Sequence, residues 1–218
     1  MNYVKKLLLC IVFIGVFAAH AGSYEDFFKA LESDNTQLVT GLLNRGFDPN
    51  SVSPKGAPAL LEALRVGAFG TATVLAQRPG TEIDVRSPQG DSPLMLAALK
   101  GQLALVRLLV ERNADVNKPG WTPLHYAATG GHTEVIEYLL AQHAYIDAES
   151  PNQSTPLMMA AMYGGFDAVR LLLDAGADPT NRNSLGLTAV DFAMRVQNDR
   201  AADLIAAAIR ARAPKAGW

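Results

Sequence analysis

The sequence predicts an all-α repeat solenoid, and three observations predict it. A short pattern recurs: Ser92-Pro93-Leu94, Thr122-Pro123-Leu124, Thr155-Pro156-Leu157 and Thr188-Ala189-Val190 begin 30, 33 and 33 residues apart. Fixed self-similarity at such a period marks stacked supersecondary units. Each pattern opens the first of two short apolar bursts at helical spacing, too short for either helix to be stable alone. Each second burst ends on a residue suited to a left-handed backbone: Gly46, Asn113, His143 or Gly176.

The fullest copy, Trp121-Thr122-Pro123-Leu124-His125-Tyr126-Ala127-Ala128, resembles the T-P-L-H-x-A core of the ankyrin repeat family. The resemblance covers the ankyrin domain from residue 23 to 212. It implies paired antiparallel helices with a projecting hairpin finger in each unit. It also implies a concave face made by fingers and inner helices, a protein partner on that face, and no catalysis. By the same resemblance His125 and His132 hydrogen-bond backbone between helices and loops.

Residues 1–21 read as a signal peptide. Lys5 and Lys6 precede an apolar run from Leu7 to about Ala19, and Ala19-His20-Ala21 supplies the small residues of a cleavage site. The run is shorter than the roughly 20 residues of a spanning helix. Cleavage after Ala21 removes two lysines and no acid, taking the net charge from −2 to −4, and leaves no cysteine, because Cys10 lies in the removed segment. Stability then rests on packing rather than disulfides. The expected compartment is the bacterial periplasm, with secretion as the alternative and no membrane association after signal removal.

Six units follow. The first, about 24–56, has Phe27, Phe28 and Leu31, then Leu38, Val39, Leu42 and Leu43, separated by the turn-forming Asp34-Asn35-Thr36. It lacks the Thr-Pro opening, as a terminal unit that covers a bare apolar face is free to do. In the second, 57–90, Ala57-Pro58 stands in place of Thr-Pro, and the loop Gln77 to Glu82 is a residue or two longer than its counterparts. The third, 91–120, has a strongly apolar second helix from Leu103 to Val110. Its finger, Asp115 to Gly120, is shortened, which accounts for the 30-residue spacing. The fourth, 121–153, carries the best match. The fifth, 154–186, ends in Leu171-Leu172-Leu173-Asp174-Ala175-Gly176. The sixth, 187–211, keeps Thr188, loses the proline and ends among Arg210 and Arg212, cations that suit a helix C-terminus. Residues 213–218 are expected to form a loose tail.

Paired alanines, Ala97-Ala98, Ala127-Ala128 and Ala160-Ala161, are small enough to let neighbouring helices approach. Threonine at a helix start caps free N–H groups, and proline in the first turn sacrifices no hydrogen bond.

Half the residues, 49%, are hydrophobic, which excludes disorder. A net charge of −2 argues against nucleic acid bound by bulk charge. The mature chain would keep three histidines and no cysteine, with no metal-ligand spacing. Nucleophile elbow, P-loop and dinucleotide fingerprints are absent, so neither a cofactor nor an enzyme activity is expected. Asp48, Asp115 and Asp178 read as turn residues at finger starts, and Asn152-Gln153-Ser154 fits a glycosylation acceptor.

The positions the repeat leaves free carry the functional expectation. They are the two residues after each paired-alanine slot and the finger tips. Leu99, Lys100, Trp121, Tyr126, Thr129, Met162, Tyr163 and Arg195 are the candidate partner-binding residues. Trp121, Tyr126, Met158, Met162 and Tyr163 are of types enriched in interface cores and could form an apolar strip, with Tyr126 and Met158 equally readable as inter-repeat packing. Lys118, Arg86 and Arg182 read as solvated finger cations. The sequence predicts a monomeric interaction module. Its alternatives are an accessory factor that stabilises or assembles a periplasmic enzyme, and an enzyme or cofactor carrier.

Overall fold

The computed structural model describes residues 22–212. The signal segment 1–21, its cleavage at Ala21 and the tail 213–218 lie outside the described residues. Among those described, the chain is an all-α repeat solenoid with no strand; a lone antiparallel bridge joins Val52 and Pro58. It divides into two compact units, with the division between Glu82 and Ile83.

The N-terminal unit holds two helix pairs: α1 (22–32) with α2 (Thr36–Asn44), and α3 (Ala59–Val66) with α4 (Phe69–Gln77). Phe27 is fully buried, stacked on Phe47 with ring centroids 4.3 Å apart and edge-on to Phe28 at 5.2 Å. This aromatic cluster gives the terminal pair a core despite its missing Thr-Pro opening. Asp34 takes a left-handed φ of 53°, and its carboxylate accepts from the backbone N–H groups of Gly70 and Thr71, at 3.2 and 2.6 Å. A residue expected to be a simple turn former thus caps the start of α4. The second opening also differs from expectation. Pro58 occupies the N-cap itself, and the helix begins one residue later at Ala59, so the Ala57-Pro58 pair is displaced by one position from the Thr-Pro of other repeats.

The C-terminal unit holds four pairs. They are α5 (Pro93–Leu99) with α6 (Leu103–Glu111), α7 (Pro123–Gly130) with α8 (Thr133–Ala141), α9 (Pro156–Met159) with α10 (Phe166–Asp174), and α11 (Ala189–Arg195) with α12 (Asp199–Arg212). The openings of α5, α7 and α9 share one geometry. Ser92, Thr122 and Thr155 accept from the N–H three residues on, at 3.2, 3.4 and 3.4 Å, with proline in the first turn. The third side chain returns the bond. Met95 Sδ, His125 Nδ1 and Met158 Sδ face the cap N–H at 3.2, 3.2 and 3.4 Å. At α11 an acid does this work: Thr188 N and Oγ1 both donate to Asp191 Oδ2, at 2.7 and 2.8 Å, and these bonds hold the Asp191 carboxyl below its usual pKa.

The first helices, α5, α7, α9 and α11, lie side by side in that order. All six paired alanines are fully buried between them. Asn113 and His143 adopt φ of 65° and 62°, matching the left-handed Gly46 and Gly176 of other repeats.

The fifth repeat departs from its neighbours. Elsewhere the inner helix stops at a left-handed residue, as Gly131 does with φ 69°. Here Ala160–Gly164 widens into a π turn, and the left-handed residue is Gly165, one step later. The close approach of the preceding repeat explains both glycines. A Cβ on Gly164 would lie 2.0 Å from the Ala128 carbonyl oxygen, and one on Gly131 would lie 2.3 Å from the Gly164 oxygen. Backbone meets backbone there, so neither side can give way.

A matched pair of substitutions tests this. Gly164→Ala should destabilise by about 2–4 kcal/mol, because the obstruction is main chain. Gly41→Ala, inside α2 with nothing within 4 Å of the new Cβ, should stabilise by about 0.5–1 kcal/mol. Urea midpoints of the two variants against the parent chain give both signs.

Candidate partner-binding face

Two sets of contacts register one repeat on the next. The first is the histidine pair. His125 is fully buried, and its Nε2 lies 2.9 Å from the Ser154 carbonyl of the following repeat while Nδ1 lies 2.8 Å from Thr122 Oγ1. Burial lowers the His125 pKa to about 4, so the ring is neutral at pH 7. His132 Nε2 lies 3.0 Å from the Leu99 carbonyl of the preceding repeat. Both rings bridge side chain to backbone between repeats, as the family resemblance implies.

The second set was not legible as finger-start turn chemistry. The residue two places beyond each finger start clamps the next finger. Asn50 Oδ1 accepts from Glu82 N at 2.9 Å, and Asn117 Oδ1 accepts from Tyr145 N at 2.9 Å. Each amide nitrogen also donates back, Asn50 to Gly80 O and Asn117 to His143 O. Asp84 and Asp147 do the same with carboxylates, accepting from Asp115 N and Asp178 N at 3.0 Å each. Burial raises the Asp147 pKa. The signal was present: Asn50, Asp84, Asn117 and Asp147 recur 34, 33 and 30 residues apart, in step with the repeat. In the last repeat Arg212 takes over, donating to Gly176 O at 3.1 Å and to Asp178 Oδ1 at 3.2 Å.

Against this scaffold the eight candidates fall into two groups. Leu99, Lys100, Thr129, Met162, Tyr163 and Arg195 lie at the C-terminal ends of the adjacent inner helices, at matched positions, and so form one rim. Leu99, Thr129 and Met162 are half-buried; Lys100, Tyr163 and Arg195 are exposed. Thr129 Oγ1 donates within its own helix to His125 O at 2.8 Å. The Arg195 guanidinium lies 5.9 Å above the Phe192 ring. Tyr163, 58% exposed, makes no ring contact or hydrogen bond with another described residue.

Trp121 and Tyr126 belong to the opening of α7 instead. Trp121 is half-buried and meets the His125 ring edge-on at 5.2 Å. Tyr126 is half-buried and its hydroxyl donates to Asp91 Oδ1 of the preceding repeat; burial and this carboxylate raise the phenol pKa. It therefore joins repeats as well as lining the surface. Met158, at 1% exposure, is core and takes no part in an apolar strip.

The finger cations are engaged rather than simply solvated. Lys118 Nζ donates to Gly90 O at 2.8 Å, and burial, with Arg86 nearby, lowers its pKa. Arg182 donates to Gly186 O at 2.7 Å, and Arg86 lies 3.6 Å from Asp84. Asn152 is held inside its finger by Ser150 Oγ at 2.5 Å, and Ser154 of the acceptor triplet is buried. Among the described residues no cluster of three or more His, Cys, Asp or Glu could hold a metal, and no helix is long and apolar enough to cross a membrane. A cleft of about 670 Å³ in the N-terminal unit, lined by Tyr24, Leu42, Arg45, Phe47 and Asp48, contains none of the candidates.

Helix pairs stacked at a 30–33-residue period, opened by Thr-Pro and joined through histidines and finger clamps, define an ankyrin-type array. Comparison with known proteins agrees. The family described as "Ankyrin repeats (3 copies)" matches residues 27–119, 70–150, 116–183 and 145–211. The chain belongs to the ankyrin repeat family. It is 37% identical over 130 residues to "Ankyrin repeat and SAM domain-containing protein 6" of Rattus norvegicus, covering 58% of this chain and 14% of that protein. It is 38% identical over 145 residues to "Ankyrin repeat and KH domain-containing protein mask-1" of Caenorhabditis elegans, covering 65% and 6%. It is 28% identical over 174 residues to "SH3 and multiple ankyrin repeat domains protein 2" of Homo sapiens, covering 78% and 9%. The chain thus spans a small fraction of these animal relatives. Ankyrin repeats are in general protein–protein interaction modules, and that general role is what the likeness supports.

The His125 geometry gives a pH dependence with a definite sign. The unfolded ring protonates near pH 6.5 and the folded one only near 4, so the unfolded state binds the proton first as pH falls. Stability should decline between those values, by up to about 3 kcal/mol. His125→Gln should be less stable than the parent at pH 7, and the gap between them should narrow towards pH 4.5. Chemical denaturation across that range reads it.

Proposed function

We propose that this protein is a non-catalytic, exported interaction module that holds a protein partner on the inner-helix rim of its C-terminal unit, as a monomer. The observation that carries the reading is Tyr163. A large aromatic side chain with a polar tip stands 58% exposed and unpartnered beside half-buried Met162, on an inner helix that, unlike the others among the described residues, widens into a π turn. Aromatic anchors of this kind carry a large share of binding energy at interfaces, and π turns often mark functional positions. Trp121, half-buried at the opening of α7, supplies a second anchor.

Export rests on the N-terminal pattern alone. The bacterial periplasm is the proposed compartment, with secretion beyond the cell second. N-terminal sequencing of the chain recovered from a periplasmic extract should begin at Gly22; recovery from the cytosol with the N-terminus intact would refute export.

For the rim, partners captured by the parent chain should be lost, or weakened about tenfold or more, on a Trp121→Ala, Tyr163→Ala double variant that keeps the parental circular dichroism and melting temperature. Full retention of every partner would refute the assignment.

A further inference from the structure

The rim carries a charge that the rest of its unit does not share. The two positions following each paired-alanine slot, from Leu99-Lys100 through Thr129-Gly130 and Met162-Tyr163 to Arg195-Val196, include two exposed cations and no acid. The second helices of the same unit, α6, α8, α10 and α12, carry seven exposed carboxylates, among them Glu134, Glu137, Asp167 and Asp174, against five exposed arginines, so their exposed charge is negative by two where the rim's is positive by two. The exposed finger residues carry both signs, Arg86 and Arg182 against Asp115 and Glu149, and do not offset the rim. Neither Lys100 Nζ nor the Arg195 guanidinium lies within ion-pair distance of a described carboxylate, although Arg195 is near enough to Asp191 to help lower its pKa; on the second helices Arg170 and Arg212 are ion-paired, and Arg107 and Arg200 lie over the Tyr138 and Phe166 rings. Lys100 at one end of the rim, and Arg195 at the other beyond its long-range attraction to Asp191, therefore keep a direct ion pair open to something outside the unit.

Resting on the interaction-module reading above, we infer that the occupant of the rim is an acidic peptide segment with an apolar anchor. Its carboxylates meet Lys100 and Arg195, and its apolar side chain meets Met162 and Tyr163. Spacing follows from the packing. Lys100 and Arg195 are separated by three steps between adjacent inner helices, each about 9 Å, so about 27 Å in all. An extended chain rises about 3.3 Å per residue, so the two acids stand about eight residues apart. Tyr163 is one step from Arg195, which places the anchor about three residues from the nearer acid. A basic segment is disfavoured at both ends of such a rim, and a neutral one leaves both cations unpaired.

The test is selection from a displayed library of random peptides of about twelve residues, using the purified chain as bait. The winners are then titrated by fluorescence anisotropy. Enriched peptides should be net negative, with two acids about eight residues apart and an apolar residue between them. Their affinity should fall about tenfold or more on a Lys100→Glu, Arg195→Glu variant, and should also fall as salt rises from about 0.05 to about 0.3 M. Both side chains are exposed, so the variant should fold as the parent does. Neutral or basic winners, no winners, affinity indifferent to charge reversal, or binding to phosphatidylserine vesicles in place of peptides would each overturn the inference. If charge reversal changes nothing while Tyr163→Ala abolishes binding, the acidic occupant falls and the rim assignment stands. If neither variant matters, both fall.

Discussion

Neighbouring inner helices can come close only because almost nothing stands between them, and the remaining structure follows from that closeness. The paired alanines are buried without remainder, and between the fourth and fifth repeats two glycines bring main chain against main chain. A repeat of two short helices cannot hide its apolar stripe alone. The small residues let each stripe be covered by the next. The bulky leucines and the histidine bridges then fix register around that contact. Cohesion is local: each repeat is held by the two beside it, and polar bonds are spent at helix starts and fingers, where backbone groups would otherwise be left bare.

Most of the architecture was legible in the sequence. The Thr-Pro openings specify where inner helices begin, because a capping hydroxyl and a prolyl ring tolerate few other places. Asn113 and His143 could be placed in left-handed slots by register with Gly46 and Gly176. Register failed at Pro58, where the proline is a cap rather than a first-turn residue and the local pattern slips by one. It also failed to foresee the π turn. Gly164 and Gly131 look alike in sequence, yet one is left-handed and the other is not. The difference arises from the Ala128 carbonyl across the repeat boundary, a tertiary contact that periodicity does not encode.

The surface was legible in outline. Positions that the repeat leaves unconstrained do gather on one rim, since they share a place on adjacent helices. Residue type alone left two residues of the expected apolar strip open between packing and surface. Met158 is a soft core residue whose sulfur closes a cap, and Tyr126 spends its hydroxyl on Asp91. An aromatic or methionine next to a repeat boundary can serve cohesion or recognition, and only the partner of its polar atom separates the two. The clamps at Asn50, Asp84, Asn117 and Asp147 were hidden for another reason. Asn and Asp are so common in turns that their local role masks a bond made to the next finger.

Those clamps give the array two chemically distinct kinds of joint. Asn50 and Asn117 hold their neighbours with amides, which donate and accept and carry no charge at any pH. Asp84 and Asp147 hold theirs with carboxylates, which only accept and which become poorer acceptors once protonated. Acidification therefore loosens the seam at Asp147, whose carboxyl is already favoured in its protonated form by burial, and spares the amide seams. Whether a joint yields to acid is thus set by a single atom type, oxygen or nitrogen, at one position in the finger.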